Sequence, residues 1–508
     1  MTVARTWAVA LVGVDGERVE VEADLSNQTP EFKIIGLPDK ALAEAVQRVH
    51  NACANSGLPL PRRRLTVNLS PASLPKHGSG FDVAIAIASL ATEVAMDADS
   101  VASTVHLGEL GLDGRLRPVP GVLPAVLAAA RAGHRRVVVP HANLAEAELI
   151  DGVEVLGAVN LAQVAAWHGA EIEVPDQQPV GVAGDEPAPE EDLDLADVIG
   201  QREAVEALVT AAAGGHNLLM CGPPGAGKTM LARRLPGILP LLDDRAALTA
   251  ASIRSLSGVP VTTLSRIPPF EAPHHTTSVA ALVGGGSRIV RPGAIARATE
   301  GILFLDEAGE FQGSALDALR QPLESGTITI HRANATAQFP ARFQLVLATN
   351  PCPCGDFGIR GGTCTCPPAA IRRYLGRLSG PLLDRMDIEL TLARVSVAQA
   401  GARRDGTTTA VARSRVAEAR ARMARRLAGT PWRLNAHLPG PWLRDGPGAP
   451  PAVVRRPLDA ALHRGALTLR GFDRVMRVAW TLADLDGSSQ LGIDHIGRAL
   501  YLKKGIAI

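Results

Sequence analysis

Residues 222–229 read GPPGAGKT, an instance of G-x-x-x-x-G-K-[ST]. The apolar run HNLLMC precedes it and MLARRL follows, so the pattern stands between a strand and the start of a helix. Few features constrain a fold as strongly. Glycines let such a loop turn its backbone N–H groups inward around phosphate oxygens, and the next helix presents its positive end to the same anion. A parallel α/β sheet with the loop at the carboxyl end of a strand supplies both. Gly222, Pro223, Pro224, Gly225, Ala226 and Gly227 are expected to line the phosphates. Lys228 is expected to reach the β- and γ-phosphates, and Thr229 to hold Mg2+. The lysine is informative in itself. The chain has six lysines against 46 arginines, yet this position keeps lysine. A compact ammonium on a flexible stem fits where a planar guanidinium is too wide.

Further along, GILFLDEAGEF places four apolar residues before Asp306 and Glu307, the pattern of a buried parallel strand delivering two carboxylates at its end. Asp306 is expected in the Mg2+ shell, and Glu307 is expected to polarise an attacking water. Together with the phosphate loop, this pair implies ATP hydrolysis rather than nucleotide binding alone. FQLVLATN ends another strand on Asn350, placed to orient the lytic water, and SGPLLDRMDI sets Arg385 just before a further strand. The set resembles an AAA+ motor, in which such an arginine reaches the γ-phosphate of a neighbouring subunit. A local ion pair with Asp384 or Asp387 is the plainer role. LTLRGFDR offers Arg470 as a second sensor touching nucleotide in cis.

The chain reads as an α/β multidomain protein. Residues 171–192 hold proline, glycine and acids without hydrophobic periodicity and form a linker. Strand-like runs alternate with alanine-rich helical runs over 1–170 and again over 193–395, which would hold the central P-loop AAA+ domain and its parallel sheet. Residues 396–508 turn helical, as a lid would. RTWAVALVGVDGERVEVEAD is too short in its apolar run for a leader and reads as a β-hairpin turning at Asp15-Gly16. No apolar run approaches the ~20 residues of a membrane span, so a cytoplasmic location without membrane contact is expected. A net charge of +1 excludes a wholesale polyelectrolyte binder and leaves local clusters for any nucleic-acid contact.

Long motifs carry a family resemblance. FEAPHHTTSVAALVGGG, RPGAIARATEGILFLDE, LRQPLESGTITIHRA, NPCPCG and SGPLLDRMDI resemble the Mg-chelatase-like AAA+ ATPases of the ComM/YifB group. IIGLPDKALAEAVQRV, VNLSPASLPKHGSGFDVAIAIA and FDRVMRVAWTLADLDG extend the likeness over nearly the whole chain. The resemblance implies a homo-hexameric ring that hydrolyses ATP and translocates on branched or single-stranded DNA, a branch-migration helicase of recombination or transformation. The ATPase motor of a metal-insertion complex is the alternative, although nothing here resembles the integrin-like and catalytic partners of that machine. Ala294 departs from the family, which has glutamate after PG.

Residues 1–170 resemble the proteolytic domain of Lon, a ribosomal-S5-like fold, in degenerate form. Aligned without gaps, the nucleophilic serine falls on Gly80 and the activating lysine on Leu123. Ser79 is adjacent, but no lysine is expected nearby to activate it, so a scaffold or DNA-facing module is implied. In motors with a helix-2 insert, two hairpins line the pore. By position these are 274–293 and 327–345, with Arg288, His331 and Arg332 as phosphate contacts. The arginine-rich run 403–426 reads first as a solvated helix face and second as a nucleic-acid contact.

Six cysteines are too few and too unevenly spaced for a secreted disulfide framework. Cys53 and Cys221 read as buried thiols. Cys352, Cys354, Cys364 and Cys366 fall in CPCGDFGIRGGTCTC, where a glycine-rich loop can fold back on itself. Four thiolates suit a structural Zn2+, with reduced thiols or a redox disulfide as alternatives.

Overall fold

The computed structural model describes residues 3–36, 44–74, 76, 78–181, 193–286, 290–332, 335–359, 362–395 and 406–504. Val3–Val12 (β1) and Asp15–Ser26 (β2) pair antiparallel from Val3↔Asp24 to Val12↔Asp15. The turn is therefore Gly13-Val14 and not the expected Asp15-Gly16, because Gly13 supplies the positive φ of 67° that a two-residue connection needs. Glu31–Ile35 (β3), Arg64–Ser70 (β4), Thr104–His106 (β5), Arg136–Pro140 (β6) and Glu154–Ala158 (β7) complete a mixed sheet ordered β3-β4-β2-β1-β5-β6-β7. The helix Asp82–Leu90 packs against it with every residue buried.

A buried polar chain crosses this sheet. Thr6 Oγ1 donates to the Thr104 carbonyl (3.0 Å), so it must accept from His106 Nδ1 (2.8 Å). His106 Nε2 then accepts from His168 Nε2 (2.8 Å), whose Nδ1 accepts from Ser100 Oγ (2.9 Å). Both imidazoles are neutral in this arrangement, and an added proton has no acceptor. Burial lowers both pKa values, that of His168 from 6.5 to about 4. The unfolded chain takes up these protons below about pH 6.5 and the folded chain does not, so stability falls as pH drops from there towards about 4. The expected slope is ~1.4 kcal/mol per pH unit for each excluded proton. Denaturant midpoints across this range should show the loss, and His168→Gln should flatten it; a wild-type midpoint independent of pH would contradict the assignment.

Leu218–Cys221 (β8), Phe270–Glu271 (β9), Ile302–Leu305 (β10), Gln344–Thr349 (β13) and Ile388–Thr391 (β14) form a wholly parallel sheet ordered β9-β10-β13-β8-β14. Thr327–Arg332 (β11) and Ala335–Pro340 (β12) make a separate antiparallel ribbon between β10 and β13 in the chain. β10 and β13 are buried along their whole length, as unbroken apolar runs covered on both faces should be. From β8 the chain jumps to the far edge, returns through β10 and β13, and then lays β14 on the other side of β8. The order reverses at β8, the position where such sheets open a ligand crevice.

Helices Thr409–Arg426, Ala452–His463, Leu469–Leu485 and Ile493–Lys504 follow the sheet. The arginine-rich helix keeps a solvated face, with Arg413 and Arg425 exposed, while its other arginines are held by the protein. Arg415 pairs with Glu206 at 2.9 and 2.8 Å, Arg420 donates to the Ala212 carbonyl, and Arg426 binds Asp484 and Asn435. A buried cluster joins the last-but-one helix to the sheet: His216 meets Thr481 at 2.7 Å, and Arg474 meets Asp387 at 2.5 Å. Burial alone would raise the Asp387 pKa, but Arg474 and His216 hold it well below the usual carboxylate range. The region around the seven-stranded sheet touches the following region directly, at the β11–β12 ribbon and at a helix end. A Cβ on Gly13 would lie 2.0 Å from the Gln338 carbonyl oxygen in β12, and Gly121 N donates to Ser255 O at 3.1 Å. Among the described residues no helix is long and apolar enough to cross a membrane.

Candidate functional site

β8 ends at Cys221, and the helix Lys228–Ile238 begins after a loop whose Gly225 and Gly227 have φ of 78° and 82°. A Cβ on Gly225 would meet nothing within 4 Å, so the loop is open at that point, whereas one on Gly222 would strike the Leu392 carbonyl at 2.6 Å. Lys228 is only 9% exposed, and its Nζ donates to Gly222 O (2.6 Å), Pro223 O (3.1 Å) and Asn350 Oδ1 (2.9 Å). Burial lowers its pKa, while Asp306, Cys221 and Glu307 pull the other way. Thr229 Oγ1 donates to Asp306 Oδ2 at 2.5 Å. Three adjacent strand ends thus bring Lys228, Thr229, Asp306 and Asn350 together. A hydroxyl beside a carboxylate is an oxygen donor set of the kind Mg2+ takes, and the open loop leaves room for phosphate.

Glu307 follows Asp306 in the left-handed region (φ 51°), a conformation that costs a non-glycine residue about 1 kcal/mol or more. Its Oε2 lies 3.2 Å from His275 Nδ1. His275 is a site residue that sequence reasoning missed. The signal was PHH just after β9, whose end lies beside that of β10.

Arg385 stands elsewhere. β8 and β14 pair in parallel from Leu218↔Ile388 to Cys221↔Thr391, so Arg385 lies at the amino edge and the phosphate loop at the carboxyl edge. Four residues of strand separate the two edges by ~13 Å. Its guanidinium, 13% exposed, pairs with Glu324 and donates to Pro381 O at 2.6 Å; its partner is neither Asp384 nor Asp387. The helix Leu469–Leu485 fixes its backbone, since Arg474 Nη1 donates to Arg385 O at 3.2 Å. Arg470 sits 3.6 Å from Asp384, on the same amino edge. Its side chain is largely exposed there, and Asp384 is the chain neighbour of Arg385.

Comparison with known proteins covers the same architecture. Residues 194–400 match the family model described as magnesium chelatase, subunit ChlI; residues 21–143 match subunit ChlI of Mg-chelatase; and residues 406–503 match the ChlI C-terminal model. An uncharacterized protein of Mycobacterium tuberculosis is 48% identical over 99% of this chain and 99% of its own length. The competence protein ComM of Haemophilus influenzae is 42% identical over 98% of this chain and 97% of its own, and the uncharacterized protein YifB of Escherichia coli 39% over 97% and 95%.

The chain belongs to the ComM/YifB family of Mg-chelatase-like proteins.

In this ComM/YifB-family chain the 274–293 segment forms the helix Val279–Val283 and a short ribbon, Gly284-Gly285 paired with Arg291-Pro292. Arg288 lies outside the described residues. A Cβ on Gly284 would lie 2.9 Å from Ile330 Cδ1, so this ribbon packs against β11. Ala294, the departure from the family pattern, is fully buried there. His331 is exposed and 3.3 Å from Thr336 Oγ1; Arg332 ends β11, and its side chain is outside the described residues.

In the N-terminal sheet region Ser79 donates to Glu109. Lys76 does stand near Ser79 in sequence, contrary to expectation, but it is fully buried and donates to Gly36 O and Leu69 O at 3.0 Å and to Pro71 O. Three carbonyls occupy its protons, and Leu123 is buried in the core. Cys53 is fully buried as expected and Cys221 half-buried. The Sγ atoms of Cys352, Cys354, Cys364 and Cys366 all lie within 4.8 Å of one another.

Proposed function

We propose that this chain is an ATP-hydrolysing motor that assembles as a homo-hexamer and moves on DNA, a branch-migration helicase acting on recombination or transformation intermediates. The observation that supports it is the split site. Lys228, Thr229, Asp306, Glu307 and Asn350 face one edge of the sheet, whereas Arg385 stands ~13 Å away on the other. Beside the loop, Arg394 is tied to Pro224 O and Asp356, and Arg385 stands at the edge opposite its own loop. A ring of copies joins the halves.

In this reading the loop N–H groups and Lys228 hold the ATP phosphates, and Asn350 positions both Lys228 and the attacking water. Glu307 accepts that water's proton once it leaves His275, and the adjoining subunit's arginine stabilises the charge that develops on the transferred phosphoryl group. Thr229 and Asp306 would hold Mg2+, which neutralises phosphate charge when bound. Arg470 belongs with Arg385 on the trans side. The ribbon β11–β12 and the 274–293 insert are read as the DNA contacts, through Arg288, His331 and Arg332. The region 1–170 is read as a Lon-like, S5-like module without proteolytic chemistry, 193–395 as the AAA+ domain and 396–508 as its lid.

The test is a four-way DNA junction with ATP. Wild type is expected to move the branch, Lys228→Ala is expected to leave it in place, and Arg332→Ala is expected to lower the ratio of DNA-stimulated to DNA-free phosphate release several-fold. Hydrolysis by wild type without branch movement would refute the DNA-motor reading, and full stimulation of Arg332→Ala would refute the hairpin assignment.

A further inference from the structure

We propose that Cys352, Cys354, Cys364 and Cys366 bind one Zn2+, and that this metal braces the outer wall of the phosphate loop. The bracing half rests on the nucleotide reading above; the metal half does not.

The geometry carries the first half. A tetrahedral site with Zn–S bonds of ~2.3 Å has S···S edges of ~3.8 Å. Cys352 Sγ lies 3.7 Å from Cys364 Sγ and 3.3 Å from Cys354 Sγ, and Cys354 lies 3.6 Å from Cys364. A disulfide needs ~2.05 Å, so no pair is bonded. Three of the sulfurs therefore stand near the separation that ligands of a shared ion adopt, and Cys366 Sγ completes the set within 4.8 Å of the others. Four sulfurs without an oxygen donor form a soft set that passes over Mg2+ and Ca2+. The Phe357 N–H donates to Cys352 Sγ at 3.3 Å, an outer contact of the kind that steadies a metal thiolate.

The second half comes from what the cluster touches. Gly355, with φ of 88°, directly follows Cys354, and a Cβ there would lie 2.3 Å from Pro224 Cδ. The knuckle thus rests on the phosphate loop itself. Arg394 ties the two together, with Nη2 3.3 Å from Asp356 Oδ1 and Nε 3.4 Å from Pro224 O. At the other end of the cluster, Cys352 follows Asn350 by two residues, and Asn350 holds Lys228. A metal on these thiolates fixes Pro224 and Asn350, on two sides of one phosphate pocket. Without it, the Pro223-Pro224 wall loses its support.

The experiment uses the full chain purified without chelator or nickel resin. Metal analysis is expected to find one zinc per chain and no iron, and Co2+ exchanged into the site should give the visible absorption of a tetrahedral thiolate complex. The Cys364→Ser, Cys366→Ser double variant should lose the zinc, keep its circular-dichroism spectrum, and show a KM for ATP about tenfold higher with a smaller change in kcat. Gly355→Ala should keep the zinc and still raise KM, because its methyl group pushes Pro224. Wild type with far less than one zinc, or with iron instead, would overturn the metal site. Zinc-free variants with unchanged KM would overturn the brace. Wild type that carries zinc but hydrolyses no ATP would sink the nucleotide reading and leave the metal site standing.

Discussion

Lys228→Arg, a change that keeps the charge, is expected to lower ATP turnover by about a hundredfold or more. The ammonium sits between Gly222 O at 2.6 Å and Pro223 O at 3.1 Å, with Asn350 Oδ1 at 2.9 Å, in a pocket that leaves it 9% exposed. A guanidinium is planar and wider than this gap. To keep its charge near the phosphates it must displace the loop carbonyls or push Asn350 off the water. The measurement is kcat from phosphate release, with a thermal melt to show that the variant is folded. Turnover near the wild-type rate would mean that charge alone matters at this position, and that the retention of lysine in so arginine-rich a chain has no chemical cause.

The second large effect is restoration by mixing. Arg385→Ala and Lys228→Ala are each expected to lose about a thousandfold in turnover. Combined in equal amounts, they should recover activity, because the loop of the first variant then meets the arginine of the second. In a randomly mixed ring about a quarter of the junctions between subunits are complete. If Arg385 worked on its own chain's nucleotide, no mixture would recover anything, so the result decides between the two geometries. Glu324 adds a detail. It is 71% exposed and holds Arg385 in the single chain, so a neighbour's phosphate must compete with it for the guanidinium. Glu324→Gln should therefore ease the engagement of Arg385 where Arg385→Ala abolishes it.

Much of this site was legible because its signals are local. GPPGAGKT, LFLDE and LVLATN each name a strand and the chemistry at its end, and the parallel sheet brings the three ends together. His275 was not legible, because β9 is only two residues long and shows no periodicity, and its partner Glu307 becomes a neighbour only through strand order. Arg470's place beside Asp384 was not legible for a similar reason: nothing in LTLRGFDR reports which edge of the sheet its helix will pack against. Arg415 and Arg426 of the 409–426 helix looked solvated because Glu206 and Asp484, their partners, are far off in the chain. At the first hairpin VGVDG offers two glycines. The structure turns at the earlier one, which sets Ala8 opposite Val19 and keeps both in the core.

Gly13 has one more consequence. The tip of the first hairpin lies against the backbone of Gln338 with no space for even a methyl group, so the two are in rigid bearing contact. A displacement of the β11–β12 ribbon towards that point would meet the seven-stranded sheet there. The N-terminal sheet is an abutment: it gives the ribbon something to push against, and a larger residue at position 13 would prise the two apart before any strand had been moved.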